Sequence, residues 1–180
     1  MDNHIIPECF IDTILMETLL PTKIGYNHKK GCNQVTENAM QGKKLIDNFA
    51  VGILDKDKKS PVYLKEFRLL ATKHNVELHK HPSRNHYLIL HPAIEKWLIA
   101  ECRQVNLLLE NYDLPSDFRE LMKITKPITS KNDNRFKCLF KALKKNNANG
   151  IIQLFEWTNY LISNPYNANE TILINKGNLS

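Results

Sequence analysis

The chain of 180 residues lacks the features of several simple classes of protein. No apolar run approaches the ~18 residues that cross a bilayer, so we expect no membrane partner. No basic segment followed by an apolar stretch opens the chain, which argues against a secretory signal and favours a cytoplasmic protein. With 42% apolar and 24% charged residues and no repeat, the chain is not a disordered protein, a collagen or a coiled coil.

Cysteine is scarce and widely spaced. The four cysteines, at positions 9, 32, 102 and 138, form no Cys-x-x-Cys pair, so we do not expect a structural zinc site. In the cytoplasm they are expected to be reduced thiols that lie mostly in the core.

Positive charge is in modest excess. The chain has 25 Lys and Arg residues against 19 Asp and Glu, which gives a net charge of +6. This excess allows a nucleic-acid or phosphate partner but is equally typical of a basic protein that binds neither. Lysine pairs are concentrated in the first third of the chain, at 29–30, 43–44 and 58–59.

The order of elements predicts an α/β protein. Strands and helices alternate over residues 1–106, which predicts a mostly parallel sheet flanked by helices. The predicted strands are apolar runs at 4–11, 49–54, 76–81 and 87–90. Helical spacing predicts the intervening helices at 13–20, 31–47, from Pro61 to about 71, and after Pro92.

The second half of the chain has only helical patterns. Residues 107–163 are predicted to form a helical extension that packs on the α/β domain, with helices at 116–125, 135–145 and 150–163. The remaining residues, 164–180, are rich in asparagine and are predicted to form a mobile tail.

Acidic residues follow two of the predicted strands, where a parallel sheet gathers its functional groups. Glu8 ends the first strand, and Asp12 begins the next helix. Asp55 and Asp57 follow the run at 49–54 and, as alternate residues of an extended segment, can face one point. If the strands are neighbours, the acids converge, and so much like charge is costly unless a cation neutralises it. Such oxygen ligands suit Mg²⁺ or Mn²⁺.

This spacing resembles the toprim pattern, which is Glu-Gly-x-x-Asp after the first strand and Asp-x-Asp after a later one. The corresponding motifs here are Glu8-Cys9-Phe10-Ile11-Asp12 and Asp55-Lys56-Asp57, with Cys9 in place of the glycine. The resemblance covers residues 4–100 and implies a toprim-like, Rossmann-like fold. Toprim domains occur in topoisomerases, DnaG-type primases, OLD-family nucleases and small proteins of defence systems.

The resemblance implies metal-dependent phosphodiester chemistry on nucleic acid. It implies that Glu8 is a metal ligand or a general acid/base. Asp55 and Asp57 would hold Mg²⁺ (or Mn²⁺) and complete the catalytic set, and Asp12 would be a supporting ligand. The run Ile-Glu-Lys-Trp-Leu, which contains Glu95, resembles a stretch in some small toprim-like proteins and makes Glu95 a further candidate metal ligand.

Basic residues near these acids are the candidate contacts for the phosphates of a substrate. They are Lys29, Lys30, Lys56, Lys58 and Arg84. Two of them belong to residues 27–33, which have the composition of an anion-binding loop ahead of a helix, although an ordinary surface loop fits as well.

Three functions are compatible with these residues. The first is a metal-dependent, nuclease-like enzyme. The second is a binding or regulatory module that keeps the toprim-like fold without catalysis, which the replacement of glycine by Cys9 favours. The third is an enzyme acting on a small phosphorylated ligand, for which the helical extension would supply a lid.

Overall fold

A five-stranded sheet organises the protein, as seen in a computed structural model that describes residues 4–56 and 61–176. The strand order is β1-β2-β5-β4-β3. Strands β1, β2 and β5 are parallel to one another, β4 is antiparallel to β5, and β3 is antiparallel to β4. The strands are β1 (Ile5–Pro7), β2 (Ala50–Asp55), β3 (Arg68–Lys73), β4 (Val76–Lys80) and β5 (His86–His91). The predicted α/β class is confirmed. The sheet is mixed, whereas the sequence predicts a mostly parallel one, and its parallel strands β1, β2 and β5 lie next to one another.

Six α-helices are present in the part of the chain that the structure describes. They are α1 (Phe10–Leu19), α2 (Ile94–Gln104), α3 (Phe118–Thr125), α4 (Asn134–Lys145), α5 (Asn149–Ser163) and α6 (Glu170–Asn175). The three helices predicted between 107 and 163 are confirmed as α3, α4 and α5. Among the described helices, none combines the length and hydrophobicity that crossing a bilayer requires.

The two faces of the sheet are covered unequally. Alternate strand residues such as Ile53 and Ile89 join a large core formed with α1, α2, α4 and α5, so the C-terminal helices share one core with the sheet. Residues of opposite orientation, including Leu54 and Leu90, form a smaller core. That core is completed by a π-helix, Gln34–Met40, and the residues that follow it.

Gly52 allows the π-helix to pack directly on β2. A Cβ atom at this position would lie 2.8 Å from Leu88 Cδ2 and 3.0 Å from Val35 Cγ1, closer than these atoms can pack without moving. The absence of a side chain in the middle of β2 therefore lets Val35 and Met40 of the π-helix approach the strand closely.

The helix predicted from Pro61 is wrong. A short 3₁₀-helix, Tyr63–Glu66, is followed by β3, which pairs with β4 through a tight turn. His74 and Asn75 in that turn have φ values of 49° and 62°, as a two-residue hairpin of this twist requires. Pairing with β4 therefore overrides the helical spacing of the apolar residues.

Two other regions differ in detail from the sequence expectation. The helix expected over 31–47 is limited to the π-helix described above. Residues 164–176, part of the expected tail, include α6, whose Leu173 is fully buried. Glu170 at the start of α6 pairs with Arg68 of β3 and Lys80 of β4, at N–O distances of 2.6 and 2.8 Å.

Candidate functional site

Two polar residues lie at the ends of neighbouring parallel strands, with their side chains on the face of the sheet that α1 and α2 cover. Asp55 is the last residue of β2 and His91 is the last of β5, and the two are paired in register. The alternation that directs Ile53 and Ile89 into the large core directs Asp55 and His91 to the same face. Their side chains consequently meet, with His91 Nδ1 3.3 Å from Asp55 Oδ1.

Asp12 is brought to the same point by the first turn of α1. Cys9 caps this helix: its Sγ accepts from the Asp12 N–H and its N–H donates to Asp12 Oδ2, both over 3.3 Å. Cys9 has φ −127°, extended backbone that any residue adopts, so the turn does not need a glycine. The cap holds Asp12 Oδ1 3.1 Å from His91 Nε2, and both side chains are fully buried.

The atoms of this cluster lack ordinary hydrogen-bond partners. Asp12 Oδ1, Asp55 Oδ1 and His91 Nε2 are buried and accept or donate no hydrogen bond of acceptable geometry among the described residues. One ligand atom from each residue lies within 4.8 Å of the others. Two states of the site would satisfy these atoms: a charged His91 that pairs with the two carboxylates, or a bound cation.

His91 is oriented as a metal-binding histidine is. Its Nδ1 donates to the carbonyl oxygen of Pro92 over 2.7 Å, which leaves Nε2 as the atom able to bind a cation. The ring also stacks on Trp97, with centroids 4.8 Å apart and planes inclined by 13°. The hydrogen bond and the ring stacking therefore orient the imidazole without a bound ligand.

Glu8 lies next to Asp55, as the sequence predicts. The backbone N–H of Asp55 donates to Glu8 Oε2 over 3.0 Å, and the Glu8 N–H donates to the carbonyl oxygen of Ile53 over 3.0 Å. The Glu8 carboxylate therefore lies beside the backbone of Asp55, which follows from the parallel pairing of β1 with β2. The donor atoms that lie within 4.8 Å of one another belong to Asp12, Asp55 and His91.

The charges of the cluster are strongly coupled. Burial, reinforced by the negative charge of Asp12, raises the pKa of Asp55 to about 8. Burial by itself lowers the pKa of His91, but the charges of Asp12 and Asp55 outweigh it and raise that pKa to about 9. Near neutral pH, without a cation, Asp55 and His91 therefore retain protons as an interacting pair, and a bound cation would displace these protons.

Two further side chains beside the cluster are neutral near pH 7. Burial, with the charge of Asp12, raises the pKa of the Cys9 thiol well above its ordinary value, so Cys9 is not a thiolate nucleophile. Burial lowers the pKa of His28, whose Nδ1 lies 3.1 Å from Thr13 Oγ1 and whose ring stacks on Phe10.

A cavity of about 480 Å³, here named the acidic cavity, opens beside Glu8 and Asp55. This volume is within the range of about 300–1,000 Å³ typical of small-ligand sites. The other lining residues come from the start of α1, the loop after Tyr26, the start of α2 and α3. They are Cys9, Phe10, His28, Lys30, Gly31, Ala93, Ile94, Glu95, Phe118, Met122, Thr125 and Lys126.

The remaining predicted ligands are distributed around this cavity or fall outside the described residues. Glu95 is buried, lines the cavity and accepts a hydrogen bond from the Thr125 hydroxyl. Lys30 also lines the cavity. Asp57 and Lys58, predicted as a metal ligand and a phosphate contact, lie outside the described residues.

The other predicted phosphate contacts point elsewhere. Lys29 faces a separate groove, and Lys56 pairs with Glu77 of β4. Arg84 is not brought to the acidic cavity, because it precedes β5 whereas the site follows the end of that strand. Its guanidinium instead donates to the Tyr63 hydroxyl over 3.2 Å.

His91 is the functional candidate that the sequence analysis does not single out. The signal is present, because His91 directly follows a continuous apolar run in the same way that Asp55 does. The wall formed by Phe118, Met122 and Lys126 carries no such signal, since the extension that contains α3 is assigned to packing or to a lid without particular residues.

Comparison with protein-family models, with curated protein sequences and with solved structures gives no match for this chain. The donor atoms of Asp12, Asp55 and His91, and the cavity that Asp55 borders, are therefore the basis for assigning a function.

Proposed function

We propose that the protein is a toprim-like, divalent-cation-dependent phosphodiesterase that acts on nucleic acid. The observation that carries this proposal is the buried Asp12–Asp55–His91 cluster, of which Asp55 also lines the acidic cavity. The Asp55 side chain is 25% exposed, whereas the other two are fully buried. A cation on these residues would thus be anchored in the protein and still reachable by a substrate through Asp55.

The donor set favours Mn²⁺ over Mg²⁺ as the cation. Carboxylate oxygens suit Mg²⁺, Ca²⁺ and Mn²⁺, whereas an imidazole nitrogen suits transition metals. Asp12 and Asp55 offer the first type of donor and His91 Nε2 the second. Mn²⁺ accepts both types, so we expect it to bind more tightly than Mg²⁺ at this site.

The residues around the cluster fit hydrolysis of a phosphodiester. A cation here would neutralise the phosphate and lower the pKa of a bound water. Glu8, whose Oε2 accepts a hydrogen bond from the Asp55 N–H, would act as the base that accepts the proton of a water molecule attacking phosphorus. The bond from phosphorus to the leaving oxygen breaks, and solvent returns a proton to that oxygen. Lys30 and Lys126 supply positive charge for the phosphate oxygens.

A second candidate function has one observation in its favour. The acidic cavity has a partly apolar wall from α3, formed by Phe118 and Met122, which is suited to a base or another organic group. This wall also fits an enzyme that acts on a small phosphorylated ligand instead of on a polymer.

The test is cleavage of end-labelled DNA and RNA, single- and double-stranded, beside nucleoside monophosphates and diphosphates. We expect Mn²⁺ to support shortening of the strands and EDTA to stop it. Hydrolysis of the small phosphates alone would favour the second candidate. The phosphodiesterase proposal is abandoned if folded protein leaves every strand intact in Mn²⁺ and in Mg²⁺.

Cation binding should strengthen as the pH rises from 6.5 to 8.5. Binding requires Asp55 and His91 to lose protons, and their pKa values of about 8 and about 9 lie above this starting pH. Each released proton contributes a tenfold gain per pH unit, so the affinity should rise by up to about 100-fold per unit below pH 8. Titration calorimetry with Mn²⁺ in buffers of different ionisation enthalpy measures both the affinity and the protons released.

The same pKa values set the pH dependence of stability without a cation. Both pKa values are raised on folding, so their contribution to stability is complete at low pH. It falls once the pH exceeds the ordinary values of 3.8 for Asp55 and 6.5 for His91, and it is fully lost above about 8 and about 9 respectively. Mn²⁺ should therefore stabilise the protein most on the alkaline side. A Kd for Mn²⁺ that does not change between pH 6.5 and 8.5 would contradict the cluster as the binding site.

A further inference from the structure

A second groove, here named the lysine groove, borders the same loop as the acidic cavity. Its volume is about 330 Å³. Successive residues of the loop face alternately into the two spaces, Asn27 and Lys29 into the lysine groove and His28 and Lys30 into the acidic cavity. The lysine groove is completed by the π-helix and the turn after it, through Gln34, Asn38, Ala39, Gly42, Lys43, Lys44 and Leu45.

The lysine groove is positively charged without compensation. Lys29, Lys43 and Lys44 line it, and its described lining includes no Asp or Glu side chain. Within residues 4–56 and 61–176, these three lysines take part in none of the ion pairs found. The remaining polar side chains of the groove are amides, which can hydrogen-bond to phosphate or to base edges.

The loop between the two spaces is fixed to the edge of the sheet. The Lys29 N–H donates to the carbonyl oxygen of Pro7 over 3.1 Å, and the Gly31 N–H donates to that of Glu8 over 3.3 Å. Since β1 is an edge strand, the two spaces lie on either side of this edge. A ligand that occupies both must bend around the loop.

We propose that the lysine groove binds the sugar–phosphate backbone of a single-stranded nucleic acid whose adjoining phosphate lies in the acidic cavity. This inference rests on the proposed function and specifies its substrate as a polymer in single-stranded form. A flexible strand can follow a path around the loop. A duplex is less suited to this path, because bending it over a short distance costs deformation energy that a single strand does not incur.

The test measures binding of labelled 12-nucleotide oligo(dT) and oligo(U) by fluorescence anisotropy over a series of salt concentrations. Measurement in EDTA keeps metal-dependent cleavage out of the result. Changing Lys43 and Lys44 to glutamine together should weaken binding about tenfold at low salt. It should also reduce the slope of log K against log[salt] by about 1.4, because each contact with a single strand contributes about 0.7.

The matched control is the Lys141→Gln/Lys145→Gln pair, which removes the same charge from an exposed face of α4. This control should keep the wild-type affinity and salt slope, and a 12-base-pair duplex should bind more weakly than either strand. The inference would be overturned if the two double variants lost affinity equally, or if the duplex bound as tightly as the single strand. Failure of the proposed function is seen separately, as the absence of Mn²⁺ binding or of strand cleavage.

Discussion

Asp55→Asn should abolish both the stabilisation of the protein by Mn²⁺ and the cleavage of nucleic acid. Asp55 is the partly exposed member of the cluster and the one that lies beside Glu8. At a hundredfold excess over Kd, a ligand stabilises a protein by about 2.7 kcal/mol. For a chain of this length, that corresponds to a rise in Tm of about 5–10 °C, which the variant should lose. Cleavage should fall by about 10³-fold or more.

The matched control for this variant is Asp47→Asn. Asp47 is exposed and precedes β2, so it lies at the opposite end of the strand from Asp55. Differential scanning fluorimetry with and without Mn²⁺ should give the wild-type shift for this control. If Mn²⁺ raises the Tm of both variants as much as that of the wild type, the cation binds elsewhere and the proposed site is wrong.

His91→Ala should destabilise the protein by about 3–5 kcal/mol at neutral pH, as expected when one partner of a buried ion pair is removed. Asp12 and His91 are both fully buried, and their nearest atoms lie 3.1 Å apart. The variant leaves the Asp12 carboxylate without its counter-charge and also removes the ring that stacks on Trp97. Urea denaturation in EDTA measures the loss.

A double-mutant cycle separates the charge effect from the packing effect. Asp12→Asn removes the charge that His91 balances, so the Asp12→Asn/His91→Ala protein should be more stable than the sum of the two single losses predicts. A coupling energy of at least about 1 kcal/mol is expected. Strictly additive losses would show that Asp12 and His91 do not form an ion pair in the folded protein.

The parts of the fold that follow from periodicity could be predicted from the sequence. Helices α4 and α5 carry long apolar stripes, and β2 is a continuous apolar run, so each element is fixed by its own residues. The hairpin of β3 and β4 is different. Its turn residues His74 and Asn75 take positive φ values that pairing between the strands enforces, and only Asn75 gives a sequence signal.

The candidate site was predictable only to the extent that it depends on strand order. The approach of Glu8 to Asp55 follows once β1 and β2 are neighbours, which the order of elements indicates. The place of His91 depends on β5 pairing directly with β2 although β3 and β4 lie between them in the chain. Local sequence does not encode that insertion of a hairpin, so His91 could not be assigned to the cluster.

The register of Asp55 against His91 makes the width of the candidate site a property of the sheet. Adjacent strands are held about 4.7–4.9 Å apart by their backbone hydrogen bonds, and these two residues are opposite one another on adjacent strands. The backbone positions of Asp55 and His91 are therefore set by the strand pairing and do not depend on the conformation of the surrounding loops. The range of ion sizes that the site accepts would then be limited by the spacing of the two strands.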